Sequence, residues 1–121
     1  MTAIDAPILD DAVLAELRAS TGGDENFIRE LFEAYVSEAT GYLDAMAAAA
    51  VVGDPTAIVR PAHTLKSSSA TLGAMRLAAI SKRIEDAGRS GSADDLVPDV
   101  DRARTTWIDT LAALTAAGLA S

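Results

Sequence analysis

The feature that most constrains the fold of this 121-residue chain is a long apolar repeat in its first half. Between residues 25 and 52, apolar side chains recur at steps of three and four. That spacing places them on one face of an α-helix and predicts a wide buried stripe, which other helices must cover. The positions are Phe27, Ile28, Leu31, Phe32, Tyr35, Ala39, Tyr42, Leu43 and Met46.

Aspartates and glycines mark where the helices begin and end. Asp10, Asp24 and Asp54 stand in N-cap positions, and Pro55 suits the first position of a helix. The stretches "TGGD" and "GRSGS" are typical of helix ends. Helices are predicted over about residues 11–20, 25–52, 55–72, 74–89 and 94–119, and no segment alternates as a strand does. The sequence therefore predicts an all-α fold, an up-down four-helix bundle with a short additional N-terminal helix.

Three residues depart from a regular helical pattern. Pro61 removes the hydrogen bond to the carbonyl of Ala57, at a cost of about 3 kcal/mol if uncompensated. Either the third helix is kinked one turn before His63, or a new helix begins at Pro61; we favour the kink, because the apolar stripe continues across the proline. Gly41 marks a bend or a close helix contact. Pro98 is tolerable only in the first turn of the fifth helix.

Composition excludes several classes of protein. Half of the residues are hydrophobic, which argues against disorder, and we expect one domain over residues 1–121. Cysteine is absent, so disulfides and thiolate metal sites are excluded. The sequence contains no predicted signal peptide or membrane span, and we expect a cytoplasmic protein. A monomer is expected, because no exposed heptad seam is evident.

The charge is distributed unevenly along the chain. The net charge of −8 opposes binding to nucleic acid or to anionic lipid. Residues 1–58 carry −9, residues 59–92 carry +4 and residues 93–121 carry −3. The only histidine, His63, therefore lies in the one basic segment of an acidic protein. An ordinary solvated helix face remains an equal alternative on charge alone.

His63 is predicted to lie at the edge of the core. It is one residue, or about 100 degrees, from Ala62 on the apolar stripe of the third helix. Lys66, Ser67 and Ala70 follow three, four and seven positions later and share its face. A buried packing histidine would more naturally have apolar neighbours there.

The chemistry open to His63 can be narrowed by exclusion. One histidine without cysteines makes no metal cluster. Ser67 and His63 are neighbours, but a hydrolase would need a nucleophile elbow and an oxyanion hole, and neither is visible. The remaining chemistry is nucleophilic attack on phosphorus by neutral imidazole, with Lys66 as the cation for the phosphoryl oxygens. No nucleotide-binding loop is present, so the phosphoryl group has to come from another protein.

The stretch "AHTLKSSSATLGAMRLA" closely resembles the signature of histidine-containing phosphotransfer (HPt) domains. The stretches "ILDDAVLAELRASTGGDENFIRELFEAYVSEA" and "RLAAISKRIEDAGRSG" are similar to the first two helices and the fourth helix of that family. The resemblance implies a phosphorelay intermediate, in which His63 takes a phosphoryl group from one receiver aspartate and passes it to another. Lys66 would stabilise phosphate charge. No kinase activity, cofactor or metal site of its own is implied, because the receiver supplies the divalent cation.

The same resemblance implies partners and a docking surface. The partners would be response-regulator receiver domains and the receivers of hybrid histidine kinases. Val13 and Leu17 of the first helix would contact the receiver, and closing the end of the bundle is an equal alternative for them. Glu85 and Arg89 of the fourth helix would flank His63, where Glu85 would hydrogen-bond the ring and select its tautomer; a solvated side chain is the simpler interpretation of Glu85. Ser67 stands where the family usually has glycine, and together with Pro61 it keeps open an alternative function, a docking module that binds receivers without transferring phosphate. The candidate partner-binding residues are Ser67, Ala70, Val13, Leu17, Glu85 and Arg89.

Overall fold

The computed structural model describes residues 5–120 and consists of α-helices joined by short connections. The helices are α1 (Asp11–Ser20), α2 (Glu25–Val51), α3 (Pro55–Thr71), α4 (Met75–Arg89) and α5 (Leu96–Ala116). The described range contains no strand, so the all-α prediction is confirmed. The boundaries of the first four helices agree with the predicted ones to within one residue.

The predicted N-caps explain this agreement. The carboxylates of Asp10, Asp24 and Asp54 each accept a backbone N–H bond from the first turn of the following helix, at 2.9, 3.1 and 3.1 Å. Each bond satisfies an amide that has no partner within the helix. Pro55 is the first residue of α3, where its missing N–H removes no helical bond.

The two internal prolines occupy different positions. Pro61 lies inside α3, which is a single helix, so the alternative in which a new helix begins at Pro61 is wrong. Pro98 is the third residue of α5 and therefore lies in its first turn, as expected. The predicted α5 was too long at both ends. Asp95 takes a left-handed conformation with φ 64°, and Gly118 does so at φ 76°, and both interrupt helical geometry.

Helices α2 to α5 form a closed bundle. Helix α2 packs against α3 and α5, and α4 packs against the same two helices from the other side. Helix α1 contacts α2, and the amide of Asp10 donates to the carbonyl of Gly73 in the α3–α4 connection, at 2.8 Å. The up-down four-helix bundle with an additional N-terminal helix is confirmed.

The core lies along the apolar face of α2. Tyr35 contacts Trp107 edge to face, with ring centroids 5.5 Å apart, and its hydroxyl lies 2.7 Å from Ser69 Oγ. Burial raises the pKa of Tyr35 to about 12, so this hydroxyl stays uncharged. Phe27 departs from the prediction, because its side chain is 45% exposed. The buried residues of the α2 face are Ile28, Phe32, Tyr35, Ala39, Leu43 and Met46.

A close helix contact occurs at a glycine that the sequence pattern did not reveal. A Cβ on Gly41 would meet nothing within 4 Å, so the expectation of a close contact there is wrong. A Cβ on Gly88 would lie 2.7 Å from the carbonyl oxygen of Pro55 and 2.9 Å from Val59 Cγ2. Helices α3 and α4 therefore approach each other where α4 has no side chain, and Glu85 lies one turn earlier on α4.

Candidate functional site

His63 lies on α3 at the border between the core and the surface. Its neighbours Ala62 and Leu65 are fully buried, whereas its own side chain is 52% exposed. This position agrees with the predicted placement about 100 degrees from the apolar stripe. The ring is thus held by the bundle on one edge and open to a partner on the other.

The buried carboxylate of Glu85 is the centre of the site. Its Oε2 atom lies 2.9 Å from His63 Nδ1, and its Oε1 atom lies 2.8 Å from Lys66 Nζ. Arg89 donates to Oε2 from Nε at 2.9 Å and places Nη2 at 2.8 Å from the same oxygen. The Glu85 side chain is only 4% exposed, so its interpretation as a solvated residue is wrong.

The burial of Glu85 follows from the face of α4 on which it lies. Ser81, Ile84, Glu85 and Gly88 are all buried, and their steps of three and four form the stripe that packs against the bundle. A carboxylate inside such a stripe is a signal that could have been read from the sequence. Arg89 follows Glu85 by four residues on the same helix, whereas the contacts with His63 and Lys66 come from α3 and depend on how the two helices pack.

The cations around Glu85 keep it charged. The ammonium of Lys66 is the largest influence; together with Arg89 and His63 it lowers the pKa of Glu85 to about 2, against the opposing effect of burial. Removing this carboxylate from water is therefore compensated by the charged and polar donors that surround it.

The carboxylate also determines how the neutral imidazole is protonated. An ionised carboxylate only accepts hydrogen bonds, so the proton of a neutral His63 ring lies on Nδ1. The other nitrogen, Nε2, then carries the lone pair. A nitrogen lone pair on a half-exposed ring, with a lysine one turn away, is suited to nucleophilic attack on an electrophile brought by a partner.

The small residues of the predicted face are open to solvent. Ser67 and Ala70 are both exposed, and Ser67 lines a groove of about 410 Å³ between α2 and α3. Lys66 is 30% exposed and is held by Glu85. The structure thus links Lys66 to the histidine through Glu85, which Arg89 also contacts, and leaves Ser67 and Ala70 exposed beyond them.

The remaining serines of the motif have structural partners. Ser69 is buried against Tyr35, and Ser68 donates to the carbonyl of Thr64 at 3.0 Å. Both hydroxyls are therefore used in hydrogen bonds within the bundle.

Comparison with known proteins identifies the family. A family model described as "Hpt domain" matches residues 30–117. The chain belongs to the HPt domain family. This HPt domain is also similar to the crystal structure of histidine-containing phosphotransfer protein B (HptB) from Pseudomonas aeruginosa PAO1. The TM-score is 0.79 and the identity 28%, over 88% of this chain and 90% of that one. A search of curated proteins found no match.

Membership of the HPt family establishes the general role. HPt domains are phosphocarriers that work with receiver and kinase partners in two-component relays, so a histidine phosphotransfer role follows for this chain. Across residues 5–120, no three metal-binding side chains are grouped as a metal site would need. In the same range no helix has the length and apolar character required to cross a membrane.

The α1 residues of this HPt domain lie away from the ring. Val13 and Leu17 are half-buried and line a depression of about 260 Å³ with Thr71. Thr71 follows His63 by eight residues, or about 12 Å along α3. A partner centred on His63 can still reach them, and their role in docking stays a prediction.

Proposed function

We propose that His63 carries a phosphoryl group between the aspartates of receiver domains, as a phosphohistidine on Nε2. The observation that supports this most directly is the contact between Nδ1 and the buried carboxylate of Glu85 at 2.9 Å, which leaves Nε2 as the free nucleophile on an exposed ring edge.

The transfer step balances without a cofactor on this chain. The Nε2 lone pair attacks the phosphorus of an aspartyl phosphate, a P–N bond forms, and the P–O bond to the aspartyl carboxylate breaks. The carboxylate leaves with the electron pair. Nδ1 keeps its proton, so the phosphorylated ring gains a positive charge. In the second transfer a receiver aspartate attacks the same phosphorus and the P–N bond breaks.

Two charged side chains next to His63 stabilise its phosphorylated form. The Glu85 carboxylate, bound to Nδ1, balances the positive charge that develops on the ring. Lys66, one turn along α3, supplies positive charge for the phosphoryl oxygens. The divalent cation and the acidic pocket that activate the phosphoryl group belong to the receiver, and the receivers of response regulators and hybrid histidine kinases are the partners.

Labelling from a phosphorylated receiver tests this proposal. Incubation with a radiolabelled phospho-receiver is expected to label the chain with an acid-labile, base-stable phosphate, and His63→Gln is expected to abolish the label. Glutamine keeps a donor near Glu85 but has no nucleophilic ring nitrogen. Thermal unfolding followed by circular dichroism checks that the variant is folded. Labelling of folded His63→Gln at the wild-type level would contradict the proposal.

The alternative is a docking module that binds receivers without accepting phosphate, and it rests on Ser67, which stands where the family usually has glycine. Because this hydroxyl can turn into solvent, we expect the wild type to transfer phosphate and Ser67→Gly to change the rate by less than about tenfold, or ~1.4 kcal/mol. Ala57→Gly, at an exposed alanine of α3 outside the candidate partner-binding residues, is the matched control for added helix flexibility. Transfer that is absent in the wild type and restored only by Ser67→Gly would favour the alternative.

A further inference from the structure

A cleft with two arginines lies beside the histidine on the side away from α1. It lies on the surface where the N-terminal half of α3 meets the C-terminal end of α4, and it has a volume of about 490 Å³. We call it the Arg60 cleft; its lining residues are Thr56, Val59, Arg60, Gly88 and Arg89.

The two arginines of the cleft differ in how their charge is used. Arg89 is bound to the carboxylate of Glu85, which also holds the ring of His63, so the cleft borders the site directly. Arg60 is exposed, and within residues 5–120 its guanidinium makes no ion pair or hydrogen bond. It precedes His63 by three residues and therefore lies on the neighbouring turn of the same face.

The surrounding charge indicates the kind of group that this cleft accepts. Residues 59–92 carry a net charge of +4, whereas the segments before and after carry −9 and −3. A nucleic acid would be repelled by the acidic remainder of the chain. A single carboxylate on a protein surface complements the cleft without meeting that repulsion.

We propose that the Arg60 cleft binds an acidic side chain of the partner receiver, and that Arg60 selects receivers that carry one. This inference rests on the proposed function, because it concerns the protein that delivers the phosphoryl group to His63.

Coverage by the partner explains why Arg60 would be selective. A specific interface buries about 800 Å² on each partner, a patch roughly 30 Å across, and Arg60 lies only about 4.5 Å along α3 from His63. A receiver docked on the ring therefore covers both Arg60 and Lys66. Lys66 already has Glu85 as its counterion. When a receiver covers Arg60, its guanidinium loses its hydrating water, and without a carboxylate on the receiver it gains no counterion in return. A receiver without a carboxylate at this point is disfavoured.

Transfer kinetics at two salt concentrations test the proposal. The rate from a radiolabelled phospho-receiver that labels the wild type is measured for Arg60→Gln and Arg60→Glu, at about 0.01 M and about 1 M ionic strength, where the Debye length is ~30 Å and ~3 Å. We expect kcat/KM to fall roughly tenfold for Arg60→Gln at low salt and further for Arg60→Glu, mainly through KM. The differences should shrink at high salt.

Two comparisons make the result specific. Arg29→Gln is the matched control, because Arg29 is also exposed and lies about 160° around α2 from Leu31, which lines the groove facing α3. It should transfer at the wild-type rate. Labelling by phosphoramidate, a small donor that needs no docking, should be the same in the Arg60 variants and the wild type.

Several outcomes would overturn the inference. Wild-type kinetics in both Arg60 variants at low salt would do so, as would an equal loss in Arg29→Gln, since overall charge would then be the cause. Loss of phosphoramidate labelling in Arg60→Gln would show that Arg60 affects the reactivity of His63 and not the binding of the receiver. A wild type that neither phosphoramidate nor any receiver labels would refute the proposed function itself.

Discussion

Gly88→Ala is expected to lower the free energy of unfolding by about 2 kcal/mol. The new methyl group would lie 2.7 Å from the Pro55 carbonyl oxygen, 2.8 Å from Ile58 Cγ2 and 2.9 Å from Val59 Cγ2. One of these atoms is backbone, and the other two belong to β-branched side chains with restricted χ1. Overpacking costs about 1–3 kcal/mol, and three such contacts put this site at the upper end. That exceeds the ~1 kcal/mol gained when alanine replaces a helical glycine.

Gly41→Ala is the matched control for helix propensity. Gly41 lies inside α2, and a Cβ there meets nothing within 4 Å, so this variant should be more stable than the wild type by about 0.5–1 kcal/mol. Urea denaturation of the two variants measures the difference. Equal stability of Gly88→Ala and Gly41→Ala would show that α3 and α4 are not in close contact at Gly88.

The same substitution should disturb the site. Separating α3 from α4 at Gly88 moves Glu85, one turn away, relative to His63 on the facing helix. Phosphotransfer by folded Gly88→Ala is therefore expected to be slower than by Gly41→Ala, and phosphoramidate labelling shows whether the acceptor itself is affected.

Glu85→Gln is expected to lower both stability and transfer. At pH 7 the variant loses a carboxylate that binds Lys66, Arg89 and His63, and hydrogen bonds to charged groups contribute about 1.5–3 kcal/mol. If the hydrogen bond between Glu85 and the His63 ring stabilises the transition state by the same free energy, its loss lowers the transfer rate roughly ten- to a hundredfold. Rates with a phospho-receiver and urea denaturation measure the two effects.

The stability difference should depend on pH in a defined direction. The pKa of Glu85 is lowered from 4.5 to about 2, first of all by Lys66. Between these values the unfolded chain binds more protons at this residue than the folded chain does, so the contribution of Glu85 falls as the pH falls. The difference in the free energy of unfolding between the wild type and Glu85→Gln should be largest above about pH 5 and should decrease toward pH 2.

Asp86→Asn is the control for Glu85→Gln. Asp86 is the next residue on α4, is 58% exposed and pairs with Lys82 on the surface. Its substitution should leave transfer unchanged and stability nearly so, because exposed ion pairs contribute little. Equal losses in both variants would show that general charge on α4, and not the buried carboxylate, supports the site.

Local signals predicted most of the helix boundaries. Asp10, Asp24 and Asp54 act through bonds to amides two or three residues away, so the information lies within one turn of the chain. The start of α5 was predicted wrongly because a local signal is missing there. Asp95 takes a left-handed conformation at φ 64° and makes no side-chain cap bond, a choice that local propensity does not favour.

The sequence by itself determined the five helices, the apolar face of each and the position of His63 beside Lys66 at the edge of the core. These follow from periodicity and capping, which operate over a few residues. Only the tertiary structure decided that Glu85, 22 residues from His63, is buried against its ring, and that Gly88 is the point where α3 and α4 meet. Both depend on how closely two helices pack, a distance that neither helix encodes alone.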